Sequence, residues 1–112
     1  MTDIEIAASA NVLLTPARIG PVEIPNRIVM PPMTTRTADA EGHVTDDTIA
    51  YYQARVDGGV GLITVEMASP EKAGRHRHRE LGIYRDEFVP GLARLVEEIH
   101  RGGNYVLNRS HP

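Results

Sequence analysis

Residues 26–36, NRIVMPPMTTR, place groups suited to ligand contact directly after an apolar run. Ile28, Val29 and Met30 read as a strand, and Pro31 and Pro32 end it, because proline lacks a backbone N–H and fixes its own φ. A Pro-Pro-Met backbone stiffened in this way can present N–H and C=O groups to the edge of a planar heterocycle. The Thr34 hydroxyl can donate or accept beside them. The bland alternative is that the prolines only turn the chain while Met33 packs in the core. A second position of interest is EMASP, residues 66–70, after a run of mostly β-branched residues. Glu66 has two readings there, a general base or ligand for an N–H, and a structural hydrogen-bond partner of neighbouring loops; the structural one is the expectation.

Other chemistry-bearing residues have weaker patterns. RHRHR, residues 75–79, invites metal or phosphate binding, but His76 and His78 lie two apart with no acidic or thiol partner at ligand spacing, so a solvated loop is expected. Tyr84 alone supplies no stacking platform for nucleic acid. Tyr51 and Tyr52 fall mid-helix and are expected to pack, and His43 reads as an exposed turn residue. His111 has no motif around it.

Composition narrows the classes. The chain has 112 residues, enough for one domain with a real core, and its 41% apolar and 24% charged content is ordinary for a globular protein. A net charge of -3 offers no overall attraction to nucleic acid or an anionic membrane. The absence of cysteine excludes disulfides, thiolate metal sites and a cysteine nucleophile. MTDIEIAASA carries no basic leader, and no apolar stretch approaches the ~18 residues of a membrane span. A cytoplasmic protein with no nucleic-acid and no membrane partner is the expectation.

The elements that must position these residues follow from punctuation and period. Residues 1–12 read as a loose leader. Gly20-Pro21 separates Leu13, Leu14 and Ile19 from Val22 and Ile24 and predicts a small hairpin, ahead of the strand ending at Met30. Thr45, Asp46 and Asp47 cap a helix that stops at Gly58-Gly59, with Ile49, Tyr52 and Val56 on one face. VGLITVEMAS predicts a strand covered on both faces, and a long basic loop follows. Phe88, Leu92, Leu95, Val96 and Ile99 then recur at helical spacing, with Pro90 in the first turn. After Gly102-Gly103 there is room for a strand stub. Hairpin, strand, helix, strand, helix and stub predict an α/β fold built on a parallel sheet, whose ligands bind beyond the carboxyl ends of the strands. PPMTTR and EMASP both occupy that end.

Three stretches carry a resemblance: LLTPARIGPVEIPNRIVMPPMTT, HVTDDTIAYYQARVDGGVGLITVEMASP and ELGIYRDEFVPGLARLVEEIHRGG. In this order and spacing the chain resembles the amino-terminal part of the old yellow enzyme family of FMN-dependent NADH:flavin oxidoreductases, which includes 2,4-dienoyl-CoA reductases. The resemblance implies residues 13–103 as the amino-terminal part of a (β/α)₈ TIM barrel, with 104–112 a divergent tail. It implies FMN as cofactor, NADH or NADPH as electron donor, and an activated alkene or enoyl compound as substrate, reduced by hydride passing through the flavin. By the same resemblance Pro31, Pro32, Met33 and Thr34 approach the flavin, with Thr34 near its C4 carbonyl and N5. Met67 stands where the family commonly has Ala or Gly beside the flavin, so its backbone contact carries over. Arg36 matches a position on the substrate side.

The resemblance fades after Gly103. The family's carbonyl-polarising donor pair, its proton donor and its late-strand phosphate site have no counterpart in these residues, so a truncated form, incomplete as a catalyst, is expected. Two strands and a stub also leave open sheet edges, which implies dependence on a partner. The rival expectation is a non-catalytic module that pairs with a separately encoded barrel remainder.

Overall fold

The computed structural model describes residues 11–73, 78–101 and 105–110. A helical turn, α1 (Asn11–Leu14), precedes an antiparallel ribbon of β1 (Ala17–Ile19) and β2 (Val22–Ile24). Gly20 and Pro21 form its two-residue loop, and Gly20 has φ 59°, the left-handed value such hairpin loops require. Leu13 and Leu14 belong to the helical turn and not to the hairpin's first strand. Pro16 explains this, since it disfavours helical backbone at Thr15, and the Thr15 hydroxyl closes the turn on Val12 O at 2.9 Å.

The main sheet has four parallel strands: β3 (Val29–Met30), β4 (Leu62–Ser69), β5 (Leu81–Gly82) and β6 (Tyr105–Ser110). β4 is its spine. The stub expected after Gly103 is the six-residue β6, which runs along β4 from Leu62↔Tyr105 to Val65↔Asn108 and resumes at Ala68↔Ser110 after an irregular step. Leu62 pairs with both β3 and β6, and Ala68 with both β5 and β6, so β3 and β5 share the opposite edge of β4. This answers why β3 stops at two prolines: the edge beyond Ile63 is left clear, first for the loop after β3 and then for β5. The second strand also runs past Glu66 to Ser69. β5 falls in the stretch expected to be loop.

Two helices cover one face. α2 (Asp46–Asp57) starts at Thr45, whose hydroxyl accepts from the Thr48 N–H while the Thr48 hydroxyl accepts from the Thr45 N–H. A short 3₁₀ turn, Asp86–Phe88, leads into α3 (Val89–Arg101), with Pro90 in the first turn as expected. Ile49 and Tyr52 of α2 and Leu95 and Ile99 of α3 pack with Met30, Ile63, Val65, Ala68 and Leu81 in one buried cluster. Removing the cap by Thr45→Ala is expected to cost about 1 kcal/mol, read as a lowered urea midpoint at unchanged slope.

Among the described residues no helix is long and apolar enough to cross a membrane.

Candidate functional site

Two neighbours in the loop after β3 behave oppositely. Met33 is 54% exposed, so it does not pack in the core, and Thr34 is exposed beside it. Thr35 turns inward. Its N–H donates to Glu66 Oε2 at 2.8 Å, and its hydroxyl lies 2.8 Å from Oε1 and 3.0 Å from Oε2. Arg36 follows with φ 58°, a left-handed backbone uncommon for a residue with a side chain, and its side chain is exposed. The extended path imposed by Pro31 and Pro32 is thus pinned at Thr35, leaving Met33 and Thr34 outward between two fixed points.

Glu66 is the pin. It is 1% exposed in the middle of β4, next to the irregular step between Val65 and Ala68. Bulges of this kind re-aim side chains and free backbone groups from the ladder. The Glu66 N–H here donates to Tyr52 Oη at 2.9 Å, and Tyr52 Oη lies 3.3 Å from Glu66 Oε1. Burial pushes the Glu66 carboxyl above the ordinary glutamate range, against the lowering effect of the Thr35, Tyr52 and Arg36 donors. Burial, reinforced by the Glu66 charge, likewise pushes the Tyr52 phenol up. Glu66 therefore takes the structural role expected of it, and Tyr52 packs and also serves as the second support of the loop.

The remaining candidates are distributed as follows. Met67 is half-buried on β4, directly after Glu66. His43 differs from its expected exposed position. Its Nδ1 is 3.1 Å from Asp39 Oδ2 and its ring lies 4.6 Å from that of Phe88, so the loop packs against the 3₁₀ turn. Gly42 O also accepts from Gly82 N at 3.0 Å, which ties that loop to β5. Although burial alone would raise it, N–H donors from His43, Gly42 and Glu41 hold the Asp39 carboxyl low. Tyr51 packs edge-on to Tyr52 under the Arg55 guanidinium, 3.8 Å above its ring. Arg75, His76, Arg77 and His111 lie outside the described residues, while His78 and Arg79 are exposed. Sequence reasoning missed the Thr35–Thr37–Thr45–Thr48 cluster that supports the loop; its only signal was four threonines within fourteen residues.

The outward groups of the loop are unsatisfied. The N–H groups of Met33 and Thr34 and the Thr34 hydroxyl have no hydrogen-bond partner among the described residues. They sit past the carboxyl end of β3, between Pro31-Pro32 on one side and the Thr35–Glu66 hydrogen bonds on the other. A planar ligand edge rich in acceptors, such as a flavin's, matches such a row of fixed donors.

The NADH:flavin oxidoreductase / NADH oxidase family matches residues 12–108, and so extends through most of β6, past the point where the quoted motifs end. The chain is 38% identical over 100 residues to the NADH oxidase of Thermoanaerobacter brockii, covering 88% of this chain and 15% of that protein. It is 37% identical over 98 residues to the NADPH dehydrogenase of Bacillus subtilis (strain 168), covering 87% of this chain and 29% of that one. Against the solved old yellow enzyme of Pichia sp. AKU4542 it has a TM-score of 0.82 at 27% identity, over 88% of this chain and 26% of the other. The chain spans less than a third of the length of these relatives. The expected TIM barrel is the fold of the solved neighbours; the described strands form one segment of it and do not close into a barrel. On the extent of these matches, the chain belongs to the NADH:flavin oxidoreductase / NADH oxidase family.

Proposed function

We propose that this chain forms one wall of the FMN site of an NAD(P)H-dependent oxidoreductase of the ene-reductase kind, working in the cytoplasm. Pro31, Pro32, Met33, Thr34 and Met67 are the residues against the cofactor, and Arg36 lies on the substrate side. The observation that carries this reading is the row of unsatisfied donors at Met33 and Thr34, fixed from behind by Thr35 and Glu66. When bound, the flavin supplies hydride transfer between reduced nicotinamide and an activated alkene or enoyl compound.

The chain's own residues bind and orient. Pro31 and Pro32 lower the ordering cost of the loop, so donor contacts form without a large loss of chain entropy. The Thr34 hydroxyl can donate to a ring carbonyl or accept from a ring N–H at the same edge. Arg36 makes no ion pair among the described residues, and its guanidinium can meet a carbonyl or anionic group of a substrate.

A second reading rests on a separate observation. Ile28 and Val29, beside the edge of β3 that has no partner strand among the described residues, are 42% and 48% exposed, and Val89 on α3 is 58% exposed. Exposed apolar residues along such a strand edge favour a chain that folds with a separately encoded remainder of the barrel.

The test is FMN titration followed by quenching of flavin fluorescence, with the chain in the assembly in which it purifies. Thr34→Val is expected to weaken FMN binding by about 3- to 10-fold, the equivalent of one hydrogen bond. Equal affinities would remove Thr34 from the site. Absence of binding by both proteins would overturn the flavin reading.

A further inference from the structure

Behind the loop, one carboxyl and four threonine hydroxyls form a single line of contacts. Glu66 Oε1 is 2.8 Å from Thr35 Oγ1, which is 2.6 Å from Thr37 Oγ1. Thr37 Oγ1 is 3.0 Å from Thr48 Oγ1, and Thr48 Oγ1 is 3.1 Å from Thr45 Oγ1. Thr45 Oγ1 lies 2.5 Å from the carbonyl oxygen of Thr37. For all five contacts to be hydrogen bonds at once, each needs a proton between its oxygens, and four hydroxyls supply only four. The direction is set at the far end, where a carbonyl has no proton to give. Thr45 donates to Thr37 O, Thr48 to Thr45, Thr37 to Thr48, and Thr35 to Thr37. The contact between Thr35 and Glu66 is then without a hydroxyl proton.

We propose that Glu66 is a positioning residue that works as a neutral carboxylic acid, donating its proton to Thr35 Oγ1 and completing a hydroxyl chain that fastens the 31–37 loop to the N-cap of α2. Its consequence for cofactor binding rests on the flavin reading above; the proton arithmetic does not. Ionised, Glu66 leaves four protons for five contacts, and the chain is then broken at one of them, with the Thr45 and Thr48 oxygens held together only by the backbone N–H groups of the cap.

The surroundings agree. From α2, Tyr52 is the titratable group facing Glu66, with Tyr51 packed behind it. From the loop, the Thr35 N–H meets Oε2, and the Arg36 backbone also acts on the carboxyl. Burial favours the neutral acid in the same sense. An unfolded glutamate ionises in the ordinary range, so the stability due to neutral Glu66 is complete below that range and is lost as pH rises through the higher folded value.

The experiment follows the side-chain carboxyl resonance of Glu66 in ¹³C-glutamate-labelled chain between about pH 4 and about pH 8, spanning the ordinary range and the region above it. Glu66→Gln assigns the resonance. Glu66 is expected to stay protonated where the other glutamates ionise. Thr37→Val is expected to lower its midpoint by about one pH unit, because Thr35 then has no acceptor at residue 37 and turns its proton to the carboxylate. FMN affinity of the wild type is expected to fall severalfold across the Glu66 titration, and that of Glu66→Gln, whose amide donates as the acid does, to stay level. Titration of Glu66 together with the other glutamates, or a midpoint indifferent to Thr37→Val, would overturn the proposal. A neutral, Thr37-sensitive Glu66 with no matching change in FMN affinity would uphold the hydroxyl chain and count against the flavin reading.

Discussion

Tyr52→Ala is expected to cost about 3–5 kcal/mol, the range for emptying a buried aromatic site. Tyr52 has no exposed surface and lies in the cluster between α2 and β4. Its ring is supported edge-on by Tyr51 at 5.1 Å, and its hydroxyl accepts from the Glu66 N–H. Alanine removes the packing and also leaves that N–H without its acceptor next to a buried carboxyl. Since domain stabilities are about 5–15 kcal/mol, the loss is a large fraction of the total. Tyr52→Phe separates the two contributions. It keeps the ring and loses only the hydroxyl, with an expected cost of about 1–3 kcal/mol. Urea unfolding of both variants provides the comparison, and equal midpoints would mean that the hydroxyl, and not the ring, supports the structure.

Thr35→Val should be the next most damaging change, although it alters almost no volume. Valine reproduces the shape of threonine and none of its hydrogen bonding. The Thr35 hydroxyl contacts both Glu66 and Thr37, and its loss takes one hydrogen-bond partner from each, for about 1–3 kcal/mol. The effect should concentrate locally. Hydrogen exchange of the Thr35 and Thr37 amides, which donate to Glu66 and to the Thr35 hydroxyl, is expected to accelerate well before global unfolding, while the hairpin of β1 and β2, held by its own ladder, stays protected. Uniform acceleration over the chain would show instead that Thr35 supports the whole core.

Much of this was legible in the sequence where local chemistry and long-range packing demand the same thing. Gly20-Pro21 makes the only turn its residues allow, Thr45 caps α2 as a threonine before two aspartates should, and Gly58-Gly59 ends it. Pro31-Pro32 correctly marked the end of β3, but the reason was not local. It lies in the edge of β4, which another segment far along the chain must share. β5 escaped notice because two residues have no period to read, and their pairing with Ala68 and Ser69 is a fact of tertiary structure. His43 looked like a turn residue because loop composition does not reveal that Asp39 and Phe88 will enclose it. The hydroxyl chain was hidden for a similar reason. Threonines at 35, 37, 45 and 48 mean little until the loop folds over the start of α2 and brings them to Glu66.

The flavin reading proposed above sets the Met33 and Thr34 donors against the edge of FMN. The most direct measurement is the change in the backbone amide resonances of ¹⁵N-labelled chain on titration with FMN. The Met33 and Thr34 amides are expected to move first and furthest, and the Thr35 amide, already committed to Glu66, to move least within the loop. Saturable FMN binding that leaves both amides unmoved would contradict that reading.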